Sequence, residues 1–292
     1  MLNSNLQVVI LGAGGMLGHD LMRVFPGAIG LDISQDFDEE RRLDITQEDE
    51  TRKKIIQFKP RLVINAAAYT DVDGAETKRE IAMKVNSDAL IHLSAICAEI
   101  KAHLVHFSTD YVFDGKNPLG YTEDAPTNPI NWYGVTKARG EAHIQQRLSS
   151  YHIIRTSWLF GMHGRNFVFT ILKLAAKGGP LRVVNDQVGC PTYSRDLAVE
   201  VKHVLSCPPG IYHVTNQGCC SWFDFAKEII KAAGIAPQVE VIPIKSSQFP
   251  LPAVRPRNSI LNSTKRTNET PSWKEALRHL LFEIQKTDPS EV

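Results

Sequence analysis

A glycine-rich segment from Gly12 to Gly18 lies between an apolar run, Leu6 to Leu11, and a helical pattern that begins near Gly15. Glycines at a strand-to-helix turn allow a tight bend and let the backbone approach a pyrophosphate. This context predicts a nucleotide site, and an ordinary strand-to-helix turn is the alternative. The glycines that would form the site are Gly12, Gly15 and Gly18.

Strand and helix patterns alternate through the first 160 residues. The predicted strands are Leu6–Leu11, Ala28–Ile33, Leu43–Ile45, Leu62–Ala68, His103–Ser108 and His152–Arg155. The predicted helices are Gly15–Phe25, Glu48–Phe58, Ile81–Lys101 and Tyr133–Leu148. Such alternation is typical of an α/β protein, a Rossmann-type doubly wound parallel sheet covered by helices on both faces.

Beyond about residue 160 the pattern changes, because proline and glycine become frequent. Short strands at 181–184 and 210–215 are mixed with helices at 221–233 and 274–283. We therefore predict that residues 1–160 are mainly an NAD(P)-binding Rossmann domain. Residues 161–292 are predicted to be mainly a smaller substrate-binding region, with a helix near Asp196 to Leu205 returning to the main sheet.

Composition excludes several classes of protein. The 292 residues carry a net charge of +1 with scattered basic side chains, which argues against a nucleic-acid partner. No apolar run approaches the length that spans a membrane, so we expect a cytoplasmic protein without a membrane partner. The five cysteines are odd in number and form no C-x-x-C pair, which favours reduced thiols over a disulfide framework or a zinc site.

An acidic residue, Asp32, ends the second predicted strand. It follows Gly12 by roughly 20 residues, the spacing at which a carboxylate binds the ribose 2′-hydroxyl of NAD(H). The alternative is an exposed carboxylate at a strand end.

Tyr133 and Lys137 have the spacing that places two side chains on one face of a helix. A neighbouring ammonium favours the phenolate, which makes the phenol a usable acid near neutral pH. Thr109 follows a predicted strand, at the edge of a parallel sheet where ligands collect, and could bond the carbonyl oxygen that Tyr133 protonates. With a hydride-donating nucleotide, these residues predict a carbonyl reductase. The alternatives are a solvated helix surface and a strand-end hydroxyl.

The chain resembles the extended short-chain dehydrogenases/reductases and, among them, the dTDP-4-dehydrorhamnose reductases. The glycine and Tyr/Lys motifs mark only the superfamily. The stretches that are more specific to this group are Ser108–Gly115, Arg155–Trp158 and Asp186–Thr192. Matching segments also occur at 65–73, 85–86 and 255–259.

The resemblance implies NADPH- or NADH-dependent reduction of a nucleotide sugar, with Tyr133 as proton donor. The implied catalytic residues are Thr109, Tyr133 and Lys137. The implied cofactor-binding residues are Gly12, Gly15, Met16, Leu17, Gly18, Asp32, Asp44, Ile45, Ala66, Ala67, Ala68, Thr70, Tyr133 and Lys137. The implied substrate-binding residues are Thr109, Asp110, Trp158 and Arg255. From the residues alone, Trp158 could instead be a core tryptophan and Arg255 a solvated loop residue.

Two positions depart from the family pattern. Arg195 stands where some members carry a glutamate that binds Mg²⁺ between subunits, so we predict no metal and a monomer or weak homodimer. Cys190 replaces a small residue such as serine or alanine.

Two other functions remain open from the sequence. One is a non-catalytic, NADP-binding regulatory subunit similar to the β subunit of methionine adenosyltransferase. The other is a reductase or epimerase of another nucleotide sugar. The sequence decides neither the cofactor preference nor the nucleotide base and sugar stereochemistry.

Overall fold

The central sheet consists of parallel strands drawn from both halves of the chain. The computed structural model describes residues 7–235, 239–265 and 269–286. Its strands are β1 (Val8–Leu11), β2 (Ile29–Leu31), β3 (Leu62–Asn65), β4 (His103–Thr109), β5 (Tyr151–Thr156), β6 (Leu159–Phe160), β7 (Leu181–Val184), β8 (Val188–Gly189), β9 (Thr192–Tyr193), β10 (Gly210–His213), β11 (Cys220–Ser221) and β12 (Val241–Ile244). The main sheet has the order β10-β5-β4-β3-β1-β2, with every pair parallel.

Helices connect and cover these strands. They are α1 (Met16–Val24), α2 (Glu48–Phe58), α3 (Val72–Thr77), α4 (Arg79–Met83), α5 (Ala89–Ile100), α6 (Trp132–Arg147), α7 (Phe167–Ala176), α8 (Ser194–Val204), α9 (Trp222–Ala232) and α10 (Trp273–Lys286). None of the helices in the described parts of the chain is long and apolar enough to cross a membrane.

Strands β1 and β3 are buried on both faces, which explains their nearly continuous apolar sequences. In β1, Val8 and Ile10 pack into one hydrophobic layer with α1 and α8. The alternate residues, Val9 and Leu11, pack into the opposite layer with α2, α5 and α6. Helices on both sides of a parallel sheet confirm the predicted Rossmann-type α/β fold.

Two segments beyond residue 160 belong to this main unit. Strand β10 pairs with β5, and α8 contributes Leu197 and Val201 to the layer that contains α1. Much of the remainder surrounds a separate core of α7, α9 and α10, with two-stranded pairs β7–β12, β6–β9 and β8–β11. The boundary at residue 160 stays a prediction.

Two secondary-structure predictions were wrong in detail. Leu43–Ile45 is not a strand: a single bridge joins Arg42 to Asp32, and the Asp44 carboxylate then accepts a bond from the Thr46 amide as the chain turns toward α2. The Leu43 amide donates to the Asp32 carbonyl in this bridge, and the apolar spacing of the segment arises because Leu43 and Ile45 are both buried.

The helix predicted at Ile81–Lys101 is interrupted by a π-helical turn at Lys84–Asp88. The turn contains Asn86, whose amide side chain bonds both the N–H and the carbonyl of Tyr69. Helix periodicity hides such a turn because a single extra residue changes little in the hydrophobic pattern. The preceding short helices α3 and α4 were not predicted as separate elements.

The sheet order reverses at its centre. From β1 the chain passes to β2 on one side and then to β3 on the other. In open α/β sheets, ligands bind in the crevice beyond the carboxyl ends of the strands at this reversal.

Candidate active site

A cleft of about 710 Å³ lies at the carboxyl ends of the central strands. It is lined by every residue that the sequence predicted for catalysis or cofactor binding, and also by Asp110 and Trp158. Of the predicted site residues, Arg255 alone does not line it. The structure therefore gathers at one place residues that lie up to about 150 positions apart in the chain.

The glycine loop forms one end of the cleft and is shaped by close backbone contacts. Gly12 has φ +79°, and a methyl group there would lie 2.5 Å from the Ala67 nitrogen. A side chain at Gly18 would overlap the Gly12 carbonyl oxygen. Gly15 precedes α1, and no side chain caps this helix, so its first amides are open to a ligand. Free amides at a helix N-terminus favour an anion such as phosphate.

Asp32 lies beside this loop and has a structural role that the sequence did not reveal. One carboxylate oxygen accepts a 2.8 Å bond from the Gly14 amide, and the other accepts a 2.8 Å bond from the Ser34 amide. The side chain thus fixes the glycine loop against the end of β2. Asp44 and Ile45 line the same end of the cleft. They lie in the turn before α2, in which the Asp44 carboxylate accepts a hydrogen bond from the Thr46 amide.

Helix α6 forms the wall at the other end of the cleft. Asn131 caps it by accepting a 2.8 Å bond from the Gly134 amide, and the Asn131 side chain also donates to the Val254 carbonyl. Two glycines, Gly134 and Gly140, let the helix approach neighbouring backbone, since a side chain at either would overlap a carbonyl oxygen. The cap and the close approach position Tyr133 against the end of β4.

The Tyr133 phenol lies in a low-dielectric environment. Burial and the nearby Asp110 carboxyl raise its pKa above the ordinary value of 10.0, and a hydrogen bond with Thr109 partly offsets this. Desolvation therefore dominates the pKa of this phenol, and the expected lowering by Lys137 stays a prediction. The phenol is protonated at neutral pH, as a proton donor requires.

Lys137 is buried beneath the strand ends. Its ammonium donates a 2.6 Å bond to the Phe107 carbonyl and lies 3.2 Å from His106 Nε2. Burial lowers the pKa of Lys137 to about 8, and Glu141 opposes this shift. The other ring nitrogen of His106 lies 3.1 Å from the Asn65 amide nitrogen. Sequence spacing could not reveal this chain of polar contacts, because its members come from β3, β4 and α6.

Thr109 and Asp110 lie between β4 and the cleft. The Thr109 hydroxyl donates a 2.9 Å bond to Asp110 and accepts a bond from the Tyr111 amide. Burial raises the pKa of Asp110 to about 7, and hydrogen bonds from Ser259 and Thr109 partly offset this effect. The carboxyl group therefore changes its charge close to neutral pH.

Comparison with known proteins agrees with this geometry. The family model for the RmlD substrate binding domain matches residues 6–286. The dTDP-4-dehydrorhamnose reductase of Aggregatibacter actinomycetemcomitans is 37% identical, over 94% of this chain and 98% of that protein. The spore coat polysaccharide biosynthesis protein SpsK of Bacillus subtilis (strain 168) is 38% identical, over 95% of this chain and 97% of that protein. The chain belongs to the dTDP-4-dehydrorhamnose reductase family.

A solved member of this reductase family is similar over almost its whole length. The dTDP-4-dehydrorhamnose reductase of Bacillus anthracis, in complex with NADP, superposes with a TM-score of 0.89 at 36% identity. The match covers 95% of this chain and 99% of the solved one.

The cleft of the present chain fits a nicotinamide dinucleotide. At one end, the glycine loop places the uncapped amides at the start of α1 along the cleft. Elsewhere in the cleft, the buried hydroxyls of Tyr69, Ser108 and Thr156 have no hydrogen-bond partner among the described residues. Buried polar groups in proteins are normally bonded, so these hydroxyls are available to a bound ligand.

Trp158 enters the cleft from the turn between β5 and β6. Its backbone has φ +47°, and its indole stacks on Trp222 with ring centroids 3.5 Å apart and planes 5° apart. Gly189 leaves room for the indole, since a methyl group there would lie 2.5 Å from the ring. The indole is half-buried, so it packs against the core and also lines the cleft. Contact between Trp158 and a sugar nucleotide stays a prediction.

Arg255 is paired away from the cleft. Its guanidinium donates hydrogen bonds of 2.5 and 2.6 Å to the two oxygens of Asp73. These hydrogen bonds hold the pKa of the Asp73 carboxyl below its ordinary value. The Arg255 guanidinium also donates to the Ala253 carbonyl and interacts with Tyr111. Direct contact between Arg255 and a substrate therefore stays a prediction.

Arg195, the departure from the family's metal-binding pattern, forms an ion pair with Glu283. The Tyr193 hydroxyl donates to the same carboxylate. Within the described ranges, no three metal-ligating side chains cluster. Cys190 is buried, and burial raises the pKa of its thiol to about 12.

Proposed function

We propose that the chain reduces the 4-keto group of dTDP-4-dehydro-6-deoxy-L-mannose (dTDP-4-dehydro-β-L-rhamnose) to give dTDP-L-rhamnose, with NADPH or NADH as cofactor. One observation carries the proposal. Thr109, Tyr133 and Lys137 come from β4 and α6, yet they line one end of a cleft whose other end is a glycine loop suited to a pyrophosphate. The named activities of the relatives support the choice of substrate.

The glycine end would hold the cofactor. We assign the pyrophosphate to the first amides of α1, at Met16 and Leu17, beside Gly15, whose own amide donates to the Gly12 carbonyl. Asp32, Asp44 and Ile45 would surround the adenosine. The cleft wall after β3, formed by 66–68 and Thr70, would contact the rest of the cofactor. When bound there, the nicotinamide supplies the hydride.

The proton would come from Tyr133. Its phenol is protonated at neutral pH, and burial raises its pKa further above the ordinary value. Thr109 would orient the substrate carbonyl oxygen by turning its hydroxyl hydrogen, which donates to Asp110, toward that oxygen. After proton transfer the phenol becomes an anion, which the buried ammonium of Lys137 would stabilise electrostatically below its pKa of about 8.

The sugar nucleotide would lie against Asp110 and Trp158. Asp110 is buried at the end of β4 and would bond a sugar hydroxyl, either as a carboxylate or as a protonated acid. The indole of Trp158 offers a flat apolar face to a sugar or base.

The proposal also covers the cellular compartment, the oligomeric state and the partners of the enzyme. We place it in the cytoplasm as a monomer or weak homodimer, without a metal, a nucleic-acid partner or a membrane partner. The ion pair between Arg195 and Glu283 supports the absence of a metal bridge, because it puts a cation where a metal ligand would be needed. The two-part division near residue 160 belongs to the same proposal.

The first test is oxidation of NADH and NADPH by the purified chain with the 4-keto sugar nucleotide generated in place. The Tyr133→Phe variant should lose about 10²- to 10⁴-fold in kcat, the usual contribution of a general acid, while the cofactor Kd stays unchanged. Tyr151→Phe is the matched control, since Tyr151 lies at the opposite end of β5 and outside the cleft.

Three outcomes contradict parts of the proposal. Full turnover by Tyr133→Phe removes the phenol from the mechanism. Turnover with a different nucleotide sugar only would change the substrate. Tight cofactor binding without turnover on any nucleotide sugar would favour the regulatory-subunit function instead.

A further inference from the structure

The loop between β6 and α7, residues 161–166, lies directly against the start of α1. A methyl group on Gly161 would come within 3.1 Å of Met16 Cγ, so the loop backbone packs closely on the Met16 side chain. Two residues later, the His163 ring stacks on His19 with ring centroids 4.0 Å apart. These two contacts dock the loop onto the helix turn that follows the glycine segment.

The docked loop has a defined shape. Asn166 donates a 2.9 Å bond to the Gly161 carbonyl and accepts a bond from the Phe169 amide, which closes the loop and caps α7. Gly164 has φ +69°, a conformation that favours glycine. Gly164 and Arg165 consequently line the same cleft as Gly15 and its neighbours.

Charge in the cleft makes Arg165 distinctive. The cationic side chains in the described lining are Lys137 and Arg165, against the carboxyl groups of Asp32, Asp44 and Asp110. Lys137 is buried and bonded to the Phe107 carbonyl. Arg165 is exposed, and within the described ranges it has neither an ion pair nor a side-chain hydrogen bond.

An unpaired guanidinium beside the positive end of a helix creates an electropositive site. The uncapped amides at the start of α1 and the Arg165 side chain border the same space. Both favour an anion, and guanidinium matches the geometry of phosphate oxygens, which it can bond in a bidentate manner.

We propose that Arg165 binds the pyrophosphate of the nicotinamide dinucleotide together with the N-terminus of α1. The loop 161–166 then closes the cofactor site at its middle, between the adenosine and nicotinamide ends. This assignment rests on the proposed function, because it requires the dinucleotide to lie along the glycine loop.

Ligand binding without any sugar substrate tests the assignment. Kd values for NADH, NADPH, ADP and adenosine would be measured for the wild type, Arg165→Ala and Arg165→Lys. Arg165→Ala should weaken NADH, NADPH and ADP alike, by about tenfold, and leave adenosine unchanged. Arg165→Lys should recover part of the loss, since an ammonium keeps the charge but not the bidentate geometry. Raising the salt concentration should reduce the difference between wild type and Arg165→Ala.

Arg182→Ala is the matched control, because Arg182 is an exposed arginine on β7 outside the cleft. Thermal unfolding of each variant checks that the fold is retained. A loss confined to NADPH would overturn the assignment by placing Arg165 at the 2′-phosphate. Unchanged Kd values in Arg165→Ala would overturn the assignment alone, provided that the wild type binds the dinucleotides. A wild type that binds neither dinucleotide would overturn the proposed function, and this assignment with it.

Discussion

The two ends of the cleft would recognise their ligands by different physical means. The glycine end offers backbone amides, and its shape depends on the absence of side chains at Gly12 and Gly18. The catalytic end consists of buried side chains whose pKa values are moved by desolvation, as at Asp110 and Lys137. We therefore expect the glycine end to be intolerant of added atoms and the catalytic end to be sensitive to pH.

The largest predicted effect concerns the glycine end. Gly12→Ala should lower the free energy of unfolding by about 3 kcal/mol or more, because the positive φ and the clash with the Ala67 nitrogen both oppose a side chain. Gly15→Ala is the control. Gly15 has φ −77°, and a methyl there would meet only the Gly12 oxygen, at 3.3 Å.

Denaturant unfolding would measure the free energy of unfolding of the two variants and of the wild type. Gly15→Ala should cost about 1 kcal/mol or less. Equal losses in the two variants would show that backbone conformation and close approach do not distinguish these glycines.

The second prediction concerns the pH response of Lys137. Its ammonium has a pKa of about 8, so it is charged below that pH and neutral above it. The kcat/KM for the cofactor should therefore fall by about tenfold per pH unit above about pH 8. In Lys137→Arg this alkaline limb should disappear, since guanidinium stays protonated. The same limb in both proteins would assign the titration to another group.

A smaller effect is expected at Asp110. The unfolded carboxyl loses its proton near 3.8, whereas the folded one keeps it until about 7. The native protein should thus lose stability as the pH rises through this window. Asp110→Asn removes the titration, so its stability relative to wild type should increase by about 1 kcal/mol or more between pH 4 and pH 7. Thermal unfolding at several pH values measures this, and a constant difference between the two proteins would contradict a raised pKa.

Local patterns were enough to predict much of the main sheet. Strands β1 and β3 are buried on both faces and are nearly continuous apolar runs, whereas the buried strands β4 and β5 also contain His106 and Arg155. The interruptions were harder to predict. The π turn at Lys84–Asp88 exists because Asn86 bonds Tyr69, a residue from a different loop. Leu43 and Ile45 are apolar because they are buried, and the sequence does not say whether buried residues pair as strands.

The candidate site also combines features that the sequence predicted with features that only the structure shows. Asp32 lines the cleft as its spacing predicted, but only the structure shows that it also bonds the Gly14 and Ser34 amides. Arg255 matches a family segment, yet Asp73 holds it outside the cleft lining. Arg165 carries no motif of its own, and docking of its loop on α1 places it among the cofactor-site residues.

The sequence by itself determined the fold class, the glycine loop and the Tyr133–Lys137 pair, because these depend on periodicity and short-range spacing. Only the tertiary structure decided the raised pKa of Tyr133, the hydrogen bond from Lys137 to Phe107 and the partner of Arg255. Desolvation and ion pairing depend on which distant segments surround a group. Those neighbours come from strands and loops far apart in the chain, so no local pattern specifies them.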